Sequence, residues 1–267
     1  MGINSAMYNG VSGLNSFATA ISVVGDNVAN ANTTAYKTNS VHFGDMVNQY
    51  LSMNSNDTES EGAGSTILGI STNYAQGLIL NTSNWSDLAL GGEGFFQVWD
   101  PRGSKAYYTR DGSFHLDNAG YLVNLQGLQV RDSSDQVIQV ANVEDYVGFH
   151  VETDGWIYGL NATTQQNDPL AHIGLTNFSN KDGLIRQGSN LYIDGPEVGQ
   201  HFKNSPDPND PANRMFGKVL DYSLESSNVD LAKQMVDMII FQASYNANSK
   251  TITTCKDMID ATINMVR

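Results

Sequence analysis

The sequence has 267 residues, a single cysteine and a formal net charge of −14. This length provides enough chain for one large domain or two modest ones, and the lone Cys255 excludes an intramolecular disulfide framework or a cysteine-based metal cluster. The acidic balance disfavours nucleic acid as a partner, and no segment reaches the roughly 18 apolar residues of a membrane span. The five scattered histidines favour no metal site, so we expect no cofactor, no nucleic-acid partner and no membrane insertion.

The charges are unevenly distributed along the chain. Residues 1–36 contain one acid, Asp26, and no base, whereas residues 37–227 contain 23 acids and 10 bases. Residues 228–267 contain four of each. An acidic middle is typical of a solvated outer surface, and near-neutral ends favour burial. The N-terminus lacks a basic segment followed by a continuous apolar core, which predicts export without a cleaved signal peptide.

The first 36 residues have the spacing of a long helix with one apolar seam. Apolar or small residues recur every three or four positions over about three heptads. The predicted seam comprises Met7, Val11, Leu14, Ala18, Ile21 and Val28. The remaining positions are mostly small and uncharged, whereas a free helix normally shows charges to water. We therefore expect this helix to be covered on all sides in an assembly; packing on one globular domain would leave the missing charge unexplained.

The next segment, residues 37–75, is predicted to be a polar linker or extended segment. Its stretch 52–65, SMNSNDTESEGAGS, has the composition of a loop. After it the periodicity changes to that of strands. Short runs rich in β-branched and aromatic residues at 94–100, 106–110, 113–117, 121–125 and 136–140 are separated by turn signals such as Asp111-Gly112. This pattern predicts a β-rich domain over residues 76–227.

The β-rich middle contains few candidates for catalysis or metal binding. Asp111 and Asp117 flank a predicted hairpin and could do acid–base work as a carboxylate pair, although aspartates beside glycine are usually turn formers. The glycine-rich stretch 91–94 precedes a strand and lacks a lysine, which disfavours a phosphate cradle. Asp207, Asn209 and Asp210 could hold calcium weakly, without an EF-hand pattern. We therefore predict no catalytic residues and no metal ligands; a secreted β-rich enzyme or adhesin is the less favoured alternative.

The C-terminal residues 228–267 are predicted to form a second long helix. Ser227 to Asp230 fit a capping box ahead of the apolar run, and neither proline nor glycine interrupts residues 229–267. Its predicted seam comprises Leu231, Met235, Met238, Tyr245, Ile252, Ile259 and Ile263. The predicted fold class is thus α+β, in which long N- and C-terminal helices form a coiled-coil-like inner domain around a β-rich central domain.

Four stretches resemble the bacterial flagellar hook and rod proteins, the axial proteins of the hook–basal body. They are NVANANTTAYK at 27–37, DLALGGEGFFQV at 87–98, YTRDGSF at 108–114 and LESSNVDL at 224–231, in family order. Ala35 and Tyr36 stand where the family pattern has glycine and phenylalanine. The motif residues singled out are Asn27, Asn30, Asn32, Thr33, Tyr36, Lys37, Asp87, Gly94, Phe95, Phe96, Arg110, Asp111, Gly112, Phe114, Ser227, Asn228 and Asp230.

The resemblance implies a structural subunit that self-assembles into the tubular axial structure of the flagellum, transmits torque and encloses the export channel. Residues 1–36 and 228–267 would form the inner polymerisation domain, and residues 76–227 the outer domain. The implied partners are identical subunits, other axial proteins, hook-cap or junction proteins and the type III export apparatus. The implied location is extracellular for a hook protein and periplasmic for a rod protein.

The choice between hook and rod depends on conflicting features. Ser12-Gly13-Leu14, Gly25 and Phe43-Gly44-Asp45 resemble the hook version. The length is closer to that of a rod subunit, because many hook proteins carry an extra outer domain. The motifs favour a hook protein of minimal size, and a distal or proximal rod protein is the alternative.

Overall fold

The computed structural model describes residues 3–49, 60–141, 143–204 and 216–265. These residues form two compact units. The helical unit contains both long helices and the first two strands, and the strand unit contains Asn32–Lys37 and Tyr74–Asn228. The predicted α+β class, with terminal helices and a β-rich central region, is confirmed. The two candidate calcium-binding aspartates and Asn209 lie outside the described residues.

Two antiparallel helices run the length of the helical unit. Helix α1 spans Ile3–Ala29 and helix α2 spans Leu231–Met265. At 35 residues, α2 is about 52 Å long. Asp230, not Ser227, caps its start, because the Asp230 carboxylate accepts the backbone N–H groups of Ala232 at 3.0 Å and Lys233 at 3.2 Å. Neither helix has the combined length and hydropathy of a membrane span.

The segment predicted as a polar linker or extended segment contains two long strands. Strand β1 (Asn39–Gln49) pairs with β2 (Ser60–Thr72) in antiparallel fashion, and two register shifts interrupt the ladder. The polar stretch 52–65 thus enters β2 at Ser60, while residues 50–59 lie outside the described part of the chain. Composition alone is a weak guide here, because glycine and serine lower strand propensity without preventing a paired ribbon.

The described part of the strand unit contains sixteen short strands. The central sheet has the order β14-β15-β6-β5-β9-β8-β7, with β13 joining β5 to β16; a three-stranded sheet contains β10, β11 and β12, and two pairs are β4–β17 and β3–β18. The strands are β3 Ile79–Asn81, β4 Ala89–Gly91, β5 Phe95–Asp100, β6 Lys105–Thr109, β7 Phe114–Leu116, β8 Leu122–Asn124, β9 Gln129–Val130, β10 Tyr146–Val151, β11 Trp156–Asn161, β12 Asn167–His172, β13 Leu175–Phe178, β14 Ile185–Gly188, β15 Leu191–Ile193, β16 His201–Asn204, β17 Lys218–Leu220 and β18 Ser223–Glu225.

Strand β5 separates two hydrophobic cores. Successive side chains of a strand point to opposite faces. Phe96 therefore packs with Phe114 in the larger core, while Phe95 packs with Tyr108 and Phe178 in the smaller one. The first four predicted strand runs coincide with β5 to β8. The fifth, 136–140, contributes only isolated bridges at Val137 and Gln139.

Candidate assembly surface and buried charge cluster

Helix α1 meets α2 through small side chains. A covered stripe of buried residues runs along α1 at spacings of three and four: Gly10, Gly13, Ser16, Ala20, Val24 and Asn27. A Cβ on Gly10 would lie 2.9 Å from Cγ1 of Ile252, and one on Gly13 would lie 2.9 Å from the Asn248 amide. These glycines therefore allow the two helices to approach closely.

Motif residue Asn27 joins three elements of the helical unit. Its buried amide donates to Oε1 of Gln234 at 2.8 Å and to the carbonyl oxygen of Asn39 at 2.8 Å. Its Oδ1 accepts the backbone N–H of Asn39 at 2.9 Å. A fully bonded buried amide fixes register, because any shift would leave its donors and acceptors unpaired. Sequence reasoning missed Gln234, whose only signal is its spacing from Met238 and Phe241.

The predicted seam lies beside the covered stripe. On α1, Met7, Leu14, Ile21 and Val28 are half-buried, and Val11 and Ala18 are exposed. On α2, Met238, Ile252 and Ile259 are half-buried, and Leu231, Met235, Tyr245 and Ile263 are exposed. The helix contact differs from the predicted seam because small residues allow the backbones of α1 and α2 to approach more closely than large side chains would. The large side chains are left at the margins and on the outer surface.

The helical unit consequently exposes much apolar surface. Helix α2 alone leaves Met235, Val236, Ile239, Ile240 and Ile263 more than half exposed. Further large apolar side chains are exposed on α1 and the β1–β2 pair, namely Ile3, Tyr8, Val11, Phe43, Met46, Val47, Leu68 and Ile70. By their helical spacing, Met235, Val236, Ile239 and Ile240 share one face of α2, and an exposed apolar face of this kind is typical of an interaction surface.

Two motif residues and one further residue form a buried charge cluster in the strand unit. Lys37, Arg110 and Glu225 have side chains that are 0–1% exposed. Lys37 Nζ lies 2.6 Å from Glu225 Oε1, and Arg110 Nη1 lies 3.5 Å from Glu225 Oε2. Glu93, which is 57% exposed, lies 3.7 Å from Arg110 Nη2 and also pairs with Lys181.

The backbone of residues 75–77 holds the charge cluster from both sides. Lys37 Nζ donates to the carbonyl oxygen of Ala75 at 2.8 Å, and Glu225 Oε1 accepts the backbone N–H of Gly77 at 2.8 Å. Burial lowers the pKa of Lys37 from its ordinary value, and Glu225 opposes that shift. Glu225 lies within the motif at 224–231 but was not among the motif residues selected from the sequence. The signal that could have identified it is a carboxylate in a set of motifs that also contains the cations Lys37 and Arg110.

The turn after α1 adopts an unusual backbone. Ala35 has φ 56°, in the left-handed region, and is fully buried. This is the position at which the resemblance indicates glycine, the residue that adopts this conformation without strain. The Ala35 N–H donates to the Glu225 carbonyl oxygen at 2.8 Å, and the Tyr36 carbonyl oxygen accepts the Asn228 N–H at 3.3 Å. Tyr36 also packs under Arg186, whose Cζ lies 5.2 Å from the ring centroid.

The remaining motif residues have structural surroundings. Asn30 donates to the Asp26 carbonyl oxygen at 2.8 Å at the end of α1, and Asn32 is exposed while Thr33 is half-buried. Asp111 accepts the N–H and hydroxyl of Ser113 within a turn. In the strand unit, Asp87 and Gly112 are buried, and Gly94 has a backbone φ of 128°. Before α2, Ser227 is half-buried, and the Asn228 amide donates to the Ala75 carbonyl oxygen.

Family models match three parts of the chain. The model described as flagella basal body rod protein matches residues 7–37, that of the flagellar hook protein FlgE/F/G D1 domain matches residues 89–159, and that of the flagellar basal body rod FlgEFG protein C-terminal matches residues 221–265. The flagellar basal-body rod protein FlgG of Bacillus subtilis (strain 168) is 33% identical over 270 residues, covering 98% of this chain and 99% of that relative. The chain belongs to the flagellar hook and basal-body rod protein family.

Within the hook and rod family, full-length similarity is to proteins named as rod proteins. The FlgG rod protein of Borreliella burgdorferi is 29% identical and aligns over 98% of both chains. The FlgE hook protein of the same organism is 36% identical, but the match covers 53% of this chain and 35% of that protein. The prediction of a flagellar structural protein is confirmed, whereas its preference for hook over rod is not.

Proposed function

We propose that this chain is a subunit of the flagellar rod and polymerises through the helical unit. The observation that carries the choice of rod is coverage: the rod relatives match end to end, and the hook relative is almost three times longer than the matched region. In the sequence interpretation, local features such as Ser12-Gly13-Leu14 favoured a hook protein, whereas the length favoured a rod protein.

The exposed apolar surface of α1 and α2 supports polymerisation. Fully burying a large aliphatic side chain contributes about 1.5–3 kcal/mol, so several such residues per subunit provide a strong drive for association. The near absence of charge on α1 favours the same role, because identical charges brought together by repeated subunits would repel each other. In this proposal both helices form the inner, coiled-coil-like layer around the export channel.

The proposal assigns complementary roles to the acidic part of the chain. The β-rich residues 76–227 form the outer domain and transmit torque, and the predicted inner polymerisation domain comprises residues 1–36 and 228–267. The partners are identical subunits, adjoining axial proteins and the type III export apparatus, through which the subunit reaches the periplasm. The hook-cap and junction proteins are partners only under the hook alternative.

Electron microscopy of basal bodies from a deletion strain tests the choice of rod. We expect basal bodies that lack the outer part of the rod, and restoration of that part by the wild-type gene. Complete rods that lack only the hook would contradict the rod assignment and support the hook. Complete rods and hooks would contradict membership of either structure.

A further inference from the structure

The charge cluster lies where the chain leaves and re-enters the strand unit. Lys37 is the last residue before the chain passes to the helical unit, Ala75 and Gly77 follow its return, and Glu225 precedes the final passage by three residues. The hydrogen bonds of the cluster, from Lys37 to Glu225 and Ala75 and from Gly77 to Glu225, therefore link all three positions. Asn228 adds bonds to Tyr36 and Ala75.

We propose that the charge cluster holds together the segment that follows α1 and the segment that precedes α2, as the turn of a helical hairpin does. Folding of the strand unit then positions α1 for pairing with α2. The two helices are far apart in sequence, since α1 ends at Ala29 and α2 begins at Leu231. When Lys37 and Glu225 are 2.6 Å apart, the free chain between the helices shortens to the residues flanking the cluster. Glu225 is thus a positioning residue for the pairing of the helices.

Loop-closure entropy gives the size of the effect. With the strand unit unfolded, pairing α1 with α2 closes a loop of about 200 residues; with the strand unit folded and the cluster formed, the loop is about 14 residues. The closure probability scales with loop length to the power −3/2, so the strand unit favours pairing by up to roughly 50-fold. The pairing benefits from the shorter loop, because the covered stripe of α1 is made mostly of small and polar side chains, which gain less from burial than large apolar ones.

Two optical signals separate the units in the wild-type chain. All three tryptophans, Trp85, Trp99 and Trp156, belong to the strand unit. The two α-helices belong to the helical unit, so circular dichroism at the helix band reports mainly on them. In a denaturant titration of the monomer at low concentration, we expect the helix signal to be lost at or before the tryptophan signal. Helices that outlast the strand unit would overturn the proposal.

A variant tests the cluster directly through hydrogen exchange of the full-length monomer. Glu225→Gln should lower the protection of α1 and α2 amides, with roughly 50-fold as the limit set by loop closure, because the backbone bonds of Ala35 to Glu225 and of Asn228 to Tyr36 remain. Glu93→Gln is the matched control, because it removes a carboxylate that touches Arg110 but lies outside the cluster, and we expect it to leave the helices protected. If Glu225→Gln keeps the strand-unit core and full helix protection, the proposal fails.

If Glu225→Gln instead unfolds the strand unit, the same hydrogen-exchange experiment still tests whether helix pairing depends on the strand unit. The helix amides must then lose protection together with the strand-unit core, because the free loop returns to about 200 residues. Retained helix protection in a chain with an unfolded strand unit would show that pairing is independent of the cluster.

Discussion

Lys37, Arg110 and Glu225 place two positive charges and one negative charge in a dry site. Removing the charge of Glu225 and removing the charge of Lys37 leave different charge imbalances in this site. Without Glu225, two buried cations face each other, and among the described residues the ion-pair partner left to Arg110 is the exposed Glu93. Without Lys37, the Glu225 carboxylate still has Arg110 and the Gly77 N–H. The carboxylate is therefore the member on which the other two depend.

This asymmetry predicts unequal costs for neutral replacements. Glu225→Gln should destabilise the strand unit by about 3–5 kcal/mol, the usual cost of removing one partner from a buried ion pair. Lys37→Met should cost clearly less, because one ion pair survives. Equilibrium unfolding followed by tryptophan fluorescence measures both values. Equal costs, or a larger cost for Lys37→Met, would contradict the assigned role of Glu225.

Ala35 combines a left-handed backbone with complete burial. The left-handed conformation costs a residue with a Cβ about 1–2 kcal/mol, and burying one methyl group returns about 0.8 kcal/mol. Ala35→Gly should therefore leave stability within about 1 kcal/mol of the wild type, with the change in the stabilising direction. Ala35→Val should destabilise the strand unit by more than about 2 kcal/mol, because a β-branched side chain is strongly disfavoured at this φ.

Thermal or denaturant unfolding followed by tryptophan fluorescence compares the two Ala35 variants. A valine variant as stable as the wild type would show that the turn relaxes to another backbone conformation. A glycine variant that loses several kcal/mol would show that the alanine methyl contributes more by packing than it costs in backbone strain.

At the scale of elements, close approach of α1 and α2 depends on particular glycines. A Cβ at Gly13 meets the Asn248 side chain at 2.9 Å, whereas a Cβ at Gly25 meets nothing within 4 Å. Gly13→Leu should therefore separate the helices and lower the midpoint of the helix signal. Gly25→Leu should leave it unchanged or raise it, because leucine improves helix propensity over glycine by about 0.8 kcal/mol.

Circular dichroism of the monomer measures both glycine variants against the wild type. The pair is matched, since the same substitution is made in the same helix and only the neighbourhood of the Cβ differs. If both variants lower the midpoint equally, the covered stripe has been assigned to the wrong face of α1.

The elements that the sequence predicted well are those with a strong local period. Helices α1 and α2 and strands β5 to β8 follow directly from apolar spacing, and the motifs identified Lys37 and Arg110 before the structure brought them together. The face of α1 that meets α2 was harder to predict. Apolar periodicity marks large side chains, whereas Gly10 and Gly13 meet α2 because they are small.

Other features were hidden because they depend on residues distant in sequence. Glu225 gains its role only when residue 37 and residue 110 are folded against it. Strands β1 and β2 lie in a stretch with many glycines and serines, and their pairing is visible only once both are aligned. Long-range pairing of this kind leaves no local pattern that a single sequence can show.

At the scale of the whole molecule, the two units differ in how much of their apolar side-chain surface is buried. The strand unit buries two cores of aromatic and aliphatic side chains and exposes some others, such as Leu125 and Val147, whereas most large apolar side chains of α2 in the helical unit are exposed. A folded monomer gains nothing from exposed residues such as Ile239, at 65% exposure, or Val236, at 55%. A polymer gains from each of them at every subunit, which is the central claim of the proposed function.

Substitution of Ile239 tests that claim most directly. Ile239→Asp should abolish polymerisation in vitro and motility in cells, because burying an unpaired carboxylate between subunits costs several kcal/mol. The monomer should keep its helix and tryptophan signals, since the side chain is exposed there. Ile239→Leu, the matched control, should assemble normally. The measurement is sedimentation and electron microscopy of the assembled protein: we predict polymer from Ile239→Leu and folded monomer from Ile239→Asp, and normal polymer from Ile239→Asp would contradict the account.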